Sequence, residues 1–187
     1  NLLNAMYHYH PIKKDIAGTI DSISGINKET LLKCYNAFYH PSNMVIFVVG
    51  DIDYMEVFEC VDSNIKAKKD KNRIKRIYPY EPPGVVRDYI EQEMQVSQPQ
   101  FMIGIKEPHA DFHSTGEAMK REASVKILLE LLLGKASDLY LEMYEEGLID
   151  SSFEFDYDLE VDCGFVSIGG ESINPDAVRE RIEKAIC

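Results

Sequence analysis

The sequence predicts an α+β fold, with helices grouped on one face of a mixed or antiparallel sheet. Residues 152–159 alternate aromatic and acidic side chains, a pattern typical of a half-exposed strand, and residues 164–170 read as its antiparallel neighbour. Ser114 and Glu117 have the spacing of a capping box and open a helix that runs to Leu133. Strands grouped with strands and helices grouped with helices favour this class over a βαβ arrangement.

Residues 1–77 predict the order helix, strand, helix. Residues 16–26 suggest a loop with short extended pieces, and Asn27 then caps a helix that ends before Pro41. The five apolar residues 45–49 predict a strand buried on both faces. Asp53 can cap the following helix, which continues to a lysine-rich run.

Residues 78–84 contain three prolines and a glycine and predict a semi-rigid linker. We therefore expect a boundary there, with 1–77 as the end of one α+β half and 85–187 as the start of the next. The second part predicts the order β-β-α-α-β-β-α. Its elements are expected at 85–95, 100–106, 114–133 (ending at Gly134), 137–146, 152–159, 164–170 and from Asn174 onward.

Composition excludes several classes of function. Of the 187 residues, 32 are Asp or Glu and 20 are Lys or Arg, so the net charge is −12 and binding to nucleic-acid phosphates is not expected. The basic run at 66–76 predicts a solvated helix end, with phosphate or membrane-surface binding as the alternative. No stretch reaches the roughly 18 apolar residues of a membrane span.

The four cysteines lack C-x-x-C spacing, and Cys34 and Cys60 are expected to be buried free thiols. Free thiols indicate a reducing compartment and therefore a cytoplasmic location.

Several different short motifs follow one another along almost the whole chain. They are His10-Pro11 with Ile16-Ala17-Gly18; Ile26, Glu29 and Leu31; Phe38-Tyr39, Pro41, Asn43-Met44; Val48-Val49-Gly50-Asp51; and Leu132-Leu133, Gly134, Ser137, Leu139-Tyr140, Glu145, Gly147-Leu148. In order and spacing they resemble the insulinase/pitrilysin-type zinc metallopeptidases, which include mitochondrial processing peptidase. The closest resemblance is to the C-terminal domain of these proteins, called inactive. The run 144–150 is similar to a bacterial subgroup of zinc proteases and their inactive partners.

The resemblance implies an architecture and a set of partners. Members of this family are built from repeated α+β halves, and the catalytic half carries H-x-x-E-H and a distant glutamate as zinc ligands. The chain begins at Asn1 and would run from the end of one half into the next, as an excerpt of a longer polypeptide. We therefore expect it to bind no zinc itself, to contact a catalytic half of the same polypeptide or a homologous subunit, and to help enclose a peptide substrate. Association with a second copy through exposed strand edges is a further expectation.

The residues needed for hydrolysis are absent from the sequence. None of the five histidines lies in H-x-x-E-H, so we expect no catalytic residue, no metal ligand and no independent hydrolysis, and the activity of the parent protein stays open. His109 with His113, or His8 with His10, could in principle bind a metal, but no third ligand is adjacent to either pair.

Three positions are expected to contact substrate. Active members of the family often carry L-R-E-x-G-x-x-Y, whose Arg and Tyr can hold substrate or stabilise an oxyanion. Tyr144 stands at the Arg position and Asp150 at the Tyr position. We therefore expect these two residues and Tyr140 to pack against one another or to line the chamber that encloses the peptide substrate. The alternative is a scaffold module of a catalytically dead family member that partners an active subunit. The acidic face formed by Asp156 and Asp158 reads as solvated, or as a surface that selects basic peptide segments.

Overall fold

The computed structural model describes residues 1–65, 74–77, 79–107, 112 and 114–186. Contacts divide the chain into two compact units, one made of 1–14 with 78–187 and the other of 15–77. The α+β class is confirmed, because helices pack with a small antiparallel sheet. The division of the chain at a 78–84 linker stays a prediction.

The described residues form seven α-helices. They are α1 (Leu2–Met6), α2 (Ile20–Ser24), α3 (Lys28–Phe38), α4 (Tyr54–Asn64), α5 (Thr115–Leu133), α6 (Asp138–Glu145) and α7 (Pro175–Ile186). Short 3₁₀ turns lie at Pro11–Lys13 and Pro41–Asn43. The sequence predicted α3 to α7, whereas α1 was not predicted.

The sheet lies in the first unit and has three strands, β1 (Gln100–Glu107), β2 (Glu154–Leu159) and β3 (Gly164–Glu171). Their order is β1-β3-β2, and both pairs are antiparallel. The hairpin predicted at 152–170 is confirmed. The strand predicted at 85–95 is wrong: the N–H groups of Val86 and Arg87 donate to the carbonyl oxygen of Ala5 instead of to a neighbouring strand.

The main core lies between this sheet and α5, α6 and α7. Its buried members include Leu129, Leu133, Tyr140, Met143, Ile149, Phe153, Tyr157, Val166, Ile168, Val178 and Ile182. The face of α5 toward the core runs through Val125, Leu129 and Leu132, which leaves Leu128 exposed. A second, smaller core consists of Met6, Tyr7, Cys163 and Phe165, and it attaches the N-terminal segment to β3.

Polar caps fix the helix ends of the first unit. The Ser114 hydroxyl accepts a hydrogen bond from the N–H of Glu117, and Ser137 does the same for Tyr140. Gly134 follows α5 with an extended backbone (φ −65°) rather than a left-handed one; a Cβ there would meet the carbonyl oxygen of Glu130. The left-handed turn lies after α6, at Gly147 (φ +69°).

The second unit contains α2, α3, α4 and the apolar segment 44–49, which has no regular secondary structure. The loop expected at 16–26 contains α2, because Thr19 and Ser22 form a reciprocal capping box. Cys34 and Cys60 are exposed, which corrects the expectation that they are buried; both are free, as is Cys163. The prediction of a strand at 45–49 that is buried on both faces is wrong for the described residues. No backbone group of 45–49 forms a hydrogen bond there, and Val45, Phe47 and Val49 are 81–90% exposed.

Candidate functional site

Tyr140 and Tyr144 lie one turn apart on α6, and their rings stack with centroids 5.8 Å apart. Tyr140 is buried, and its ring also meets Phe153 edge-on at 5.9 Å. Tyr144 is 51% exposed. Of the two tyrosines predicted to contact substrate, Tyr140 is therefore part of the core and Tyr144 is exposed.

Asp150, the third predicted position, shapes the turn between α6 and β2. Its carboxylate accepts hydrogen bonds from the N–H and the hydroxyl of Ser152. These bonds hold the pKa of Asp150 below its usual value. The Ser152 hydroxyl oxygen in turn accepts from the N–H of Glu171, so Asp150 connects this turn to β3.

The acidic side chains of β2 border an open groove of about 220 Å³ on the sheet. Glu154 and Asp156 line it with Met102 of β1. The Lys126 Nζ atom lies 3.5 Å from a carboxylate oxygen of Asp156. Partial burial, and then repulsion from Asp156, raise the pKa of Asp158. Lys126 therefore offsets part of the negative charge of this face.

A buried ion pair lies beneath the N-terminal segment. The Lys106 ammonium, on β1, is 2.7 Å from a carboxylate oxygen of Glu81, and the Lys106 side chain is only 4% exposed. The same ammonium donates to the carbonyl oxygens of Met6, Pro82 and Gly84 at 2.7–3.2 Å. One lysine therefore joins α1, the proline-rich segment and the sheet.

Besides Lys106, the Glu81 carboxylate binds the backbone of the N-terminal segment. Its carboxylate accepts hydrogen bonds from the N–H groups of His8, Tyr9 and His10 at 2.7–2.8 Å. Burial alone would raise the pKa of Glu81, but the bonds from Lys106 and from these three N–H groups outweigh it and lower the pKa to about 2. Glu81 is therefore ionised at neutral pH.

Tyr7 lies above this ion pair. The Lys106 Nζ atom is 4.8 Å from the centre of its ring, within the range of a cation–π contact. The Tyr7 hydroxyl donates to the carbonyl oxygen of Gly164 at 3.0 Å. Burial, and then the nearby Cys163 and carboxylates, raise the pKa of Tyr7, so the phenol stays neutral.

His10, Asp162 and Cys163 converge next to Tyr7. The His10 Nε2–H donates to the Asp162 carboxylate at 2.8 Å, while its Nδ1 accepts from the N–H of Ile12 at 3.2 Å. One ligand atom from each of the three residues lies within 4.8 Å of the other two. Burial, and then the carboxylates of Asp162 and Glu160, raise the pKa of the Cys163 thiol to about 12.

A further group of polar contacts joins α5 to the two outer strands of the sheet, β1 and β2. The Tyr157 hydroxyl of β2 donates to the carboxylate of Glu107 on β1, and Arg121 of α5 donates to the other oxygen of that carboxylate at 3.0 Å. Burial and this hydrogen bond raise the pKa of Tyr157 to about 12. The contact fixes α5 across the sheet.

Sequence reasoning missed these contacts because their partners are far apart in the chain. His10 was considered only with His8, yet its partner Asp162 is 152 residues away. His109 and His113, the other pair considered, lie outside the described residues, as do most of the basic run 66–76, Tyr78 and Cys187. A lysine within an otherwise apolar strand, Lys106, was the signal that could have indicated a buried ion pair.

Comparison with known proteins places this geometry in a family. A model of the peptidase M16 inactive domain matches residues 25–186, which is most of the chain. The chain belongs to the peptidase M16 inactive-domain family. It is 40% identical over 99% of its length to the uncharacterized zinc protease YmfH of Bacillus subtilis, and 28% identical over 98% to the zinc protease PqqE of Helicobacter pylori.

A solved structure supports the same assignment. The M16-like peptidase of Alicyclobacillus acidocaldarius superimposes with a TM-score of 0.90 over 99% of this M16 domain, at 38% identity. The chain spans only 44% of that protein, 44% of YmfH and 40% of PqqE. This M16 domain thus corresponds to less than half of the relatives it matches. Among its described residues, no helix is both long and apolar enough to cross a membrane.

Proposed function

We propose that this chain is the non-catalytic C-terminal module of an M16-type zinc protease, and that it closes a peptide-binding chamber against a catalytic half. The observation that carries the proposal is that it aligns with under half of relatives named zinc proteases while its own sequence lacks H-x-x-E-H. The zinc that hydrolysis requires would be held by the half outside this chain. That half, in the same polypeptide or in a homologous subunit, would be its partner, in the cytoplasm.

The segment 45–49 supports association with a further half. Its five apolar residues have the sequence pattern of a buried strand, and a strand needs neighbours for its N–H and C=O groups. Val45 and Phe47 are 90% and 87% exposed. The described residues supply no neighbouring strand, so the complementary strands would come from the other half.

Tyr144 supports a substrate-facing role for α6. It is exposed, and it stacks on a buried tyrosine that fixes its position. By the family resemblance, it stands where active members often have an arginine. A tyrosine offers an aromatic surface and one hydroxyl group, which suits packing against a peptide better than stabilising an oxyanion. Asp150 would contribute indirectly, because its carboxylate is already engaged by Ser152.

The experiment is to produce the chain and the catalytic half as two separate polypeptides. Neither alone should hydrolyse an unstructured peptide, whereas the mixture should co-purify and hydrolyse it in a zinc-dependent manner. Hydrolysis by the chain alone would contradict the proposal. A catalytic half that is fully active without the chain would contradict it as well.

A second candidate is a scaffold module in a family member without activity. The residues at the Arg and Tyr positions, Tyr144 and Asp150, favour it, because neither provides a guanidinium. The two candidates differ in the reconstituted pair: a scaffold would co-purify with its partner and give no hydrolysis. Tyr144→Arg distinguishes them further, since gain of hydrolysis in that variant would show that this position limits catalysis.

A further inference from the structure

We propose that His10, Asp162 and Cys163 bind one zinc-class divalent cation that fastens the N-terminal segment to the turn between β2 and β3. This site would be separate from the catalytic zinc of an M16 protease, and it does not depend on the function proposed above. It also departs from the expectation, drawn from spacing along the sequence, that the chain binds no metal.

The positions of the donor atoms support a single shared ion. The three ligand atoms lie within 4.8 Å of one another. Bonds of about 2.0–2.3 Å to a tetrahedral zinc place neighbouring ligand atoms roughly 3.2–3.7 Å apart, so small side-chain rotations would bring these atoms to the required spacing. Two of the residues are adjacent in one turn, and the third caps the turn at Pro11–Lys13.

The chemistry of the donors selects the class of metal. A thiolate, an imidazole and a carboxylate are zinc ligands, whereas calcium and magnesium prefer sites made of oxygen atoms alone. His10 and Cys163 are buried, and Asp162 is partly exposed. Three protein ligands would leave one position of a tetrahedral ion for water or a further donor.

The electrostatic surroundings also favour a cation. The carboxylates of Asp158, Glu160 and Asp162 all act on the Cys163 thiol, and each disfavours its ionisation. Lys106, the nearby ammonium above the Tyr7 ring, is already bound to Glu81. A divalent cation would offset these negative charges, and the thiol proton would be released to solvent as the metal binds.

Binding requires one rearrangement at His10. Its Nε2 atom faces the cluster and carries a proton that it donates to Asp162. That proton moves to Nδ1 by exchange with solvent when the metal binds, so Nδ1 can no longer accept the long hydrogen bond from the Ile12 N–H. The new metal–nitrogen bond replaces both interactions, and the ring does not need to turn over.

Cobalt titration of the chain tests the site. Cys34, Cys60 and Cys187 are first changed to serine, so that Cys163 is the sole thiol and adventitious thiolate binding is removed. We expect one equivalent of Co²⁺ to bind with a thiolate-to-cobalt charge-transfer band in the near ultraviolet, and Zn²⁺ to abolish the band by displacement. Zinc should also raise the melting temperature of this background variant.

Further variants assign the ligands. Cys163→Ser in the same background should lose the band. His10→Gln removes a direct ligand and should weaken binding by at least about tenfold, because even changes to residues that only orient metal ligands cost that much. His8→Gln is the matched control and should bind as the background does. Asp162→Asn, at a partly exposed position, replaces any variant that circular dichroism shows to be unfolded. Absence of the band in the background variant, or its persistence in Cys163→Ser, would overturn the proposal.

Discussion

At the scale of single residues, Glu81 and Lys106 form the ion pair whose two side chains are both nearly enclosed by protein. Each has several partners rather than one. Removing one member of such a pair leaves an uncompensated buried charge, which costs more than the pair itself contributes. Their effect should therefore appear mainly when one member is changed alone.

Glu81→Gln is expected to lower the free energy of unfolding by about 3 kcal/mol at neutral pH, because Lys106 keeps its charge without a carboxylate. Urea unfolding monitored by circular dichroism measures this. Glu81→Gln combined with Lys106→Met should recover part of the loss. Glu122→Gln, which removes an exposed pair with Lys126, is the matched control and should cost under about 0.5 kcal/mol.

The pH dependence of the same variant follows from the pKa of Glu81, which falls from 4.5 to about 2 on folding. A lowered pKa means that the folded state favours the ionised carboxylate, so its stabilisation is complete above pH 4.5 and is lost as the pH falls toward 2. The stability difference between the wild type and Glu81→Gln should therefore shrink across that range. A difference that stays constant would show that the ionised carboxylate is not the cause.

Tyr144→Ala separates a role in substrate contact from a role in packing. Because Tyr144 is half exposed but stacks on Tyr140, its loss should lower the free energy of unfolding by about 1 kcal/mol, the usual size of an aromatic pair. In the reconstituted protease, it should raise KM for a peptide. Glu142→Ala, on the opposite side of α6, is the control and should leave KM unchanged. Equal effects of the two variants on KM would argue against contact between Tyr144 and substrate.

At the scale of elements, α1 packs closely on β1 because the residue of β1 at their contact, Gly104, has no side chain. A Cβ on Gly104 of β1 would come within 2.3 Å of the Met6 sulfur atom and 2.9 Å of a Leu2 methyl group. Leu2 and Met6 are the apolar residues with which α1 packs on the sheet. The absence of a side chain at position 104 thus sets the distance between α1 and β1.

Gly104→Ala is expected to destabilise the protein by about 1–3 kcal/mol, because Met6 is buried and must move to make room. Thermal unfolding measures the change, and Met6→Ala in the same protein should recover part of it. Gly116→Ala serves as control: it lies in the first turn of α5 with open space around it and should be neutral or slightly stabilising. A neutral Gly104→Ala would show that α1 does not pack tightly on β1.

Local patterns predicted the elements whose signals lie within a few residues. The cap at Ser114, the alternation at 152–159 and Asn174-Pro175 all lie where these elements begin in the structure. The strand expected at 85–95 failed because its alternation is weak and its N–H groups bond to Ala5. The contacts of His10 and Lys106 join residues far apart in the chain, which no local pattern can reveal.

At the scale of the whole molecule, the segment 45–49 indicates an incomplete sheet. Val45→Lys with Phe47→Lys should reduce self-association of the isolated chain, because charges on an exposed strand oppose pairing with other strands. The same change should prevent co-purification with the catalytic half. Light scattering and affinity capture measure the two effects. Leu31→Lys, at an exposed position of α3, is a control for the added charge, and unchanged capture by the double variant would contradict a role for this segment.

The most direct test of the account is peptide hydrolysis by the chain, by the catalytic half and by their mixture, at equal zinc concentration. The account predicts no turnover by either part alone, and turnover by the mixture that a chelator removes and zinc restores. Zinc-dependent turnover by the 187-residue chain alone would contradict it, because a chain without H-x-x-E-H would then contain its own catalytic centre.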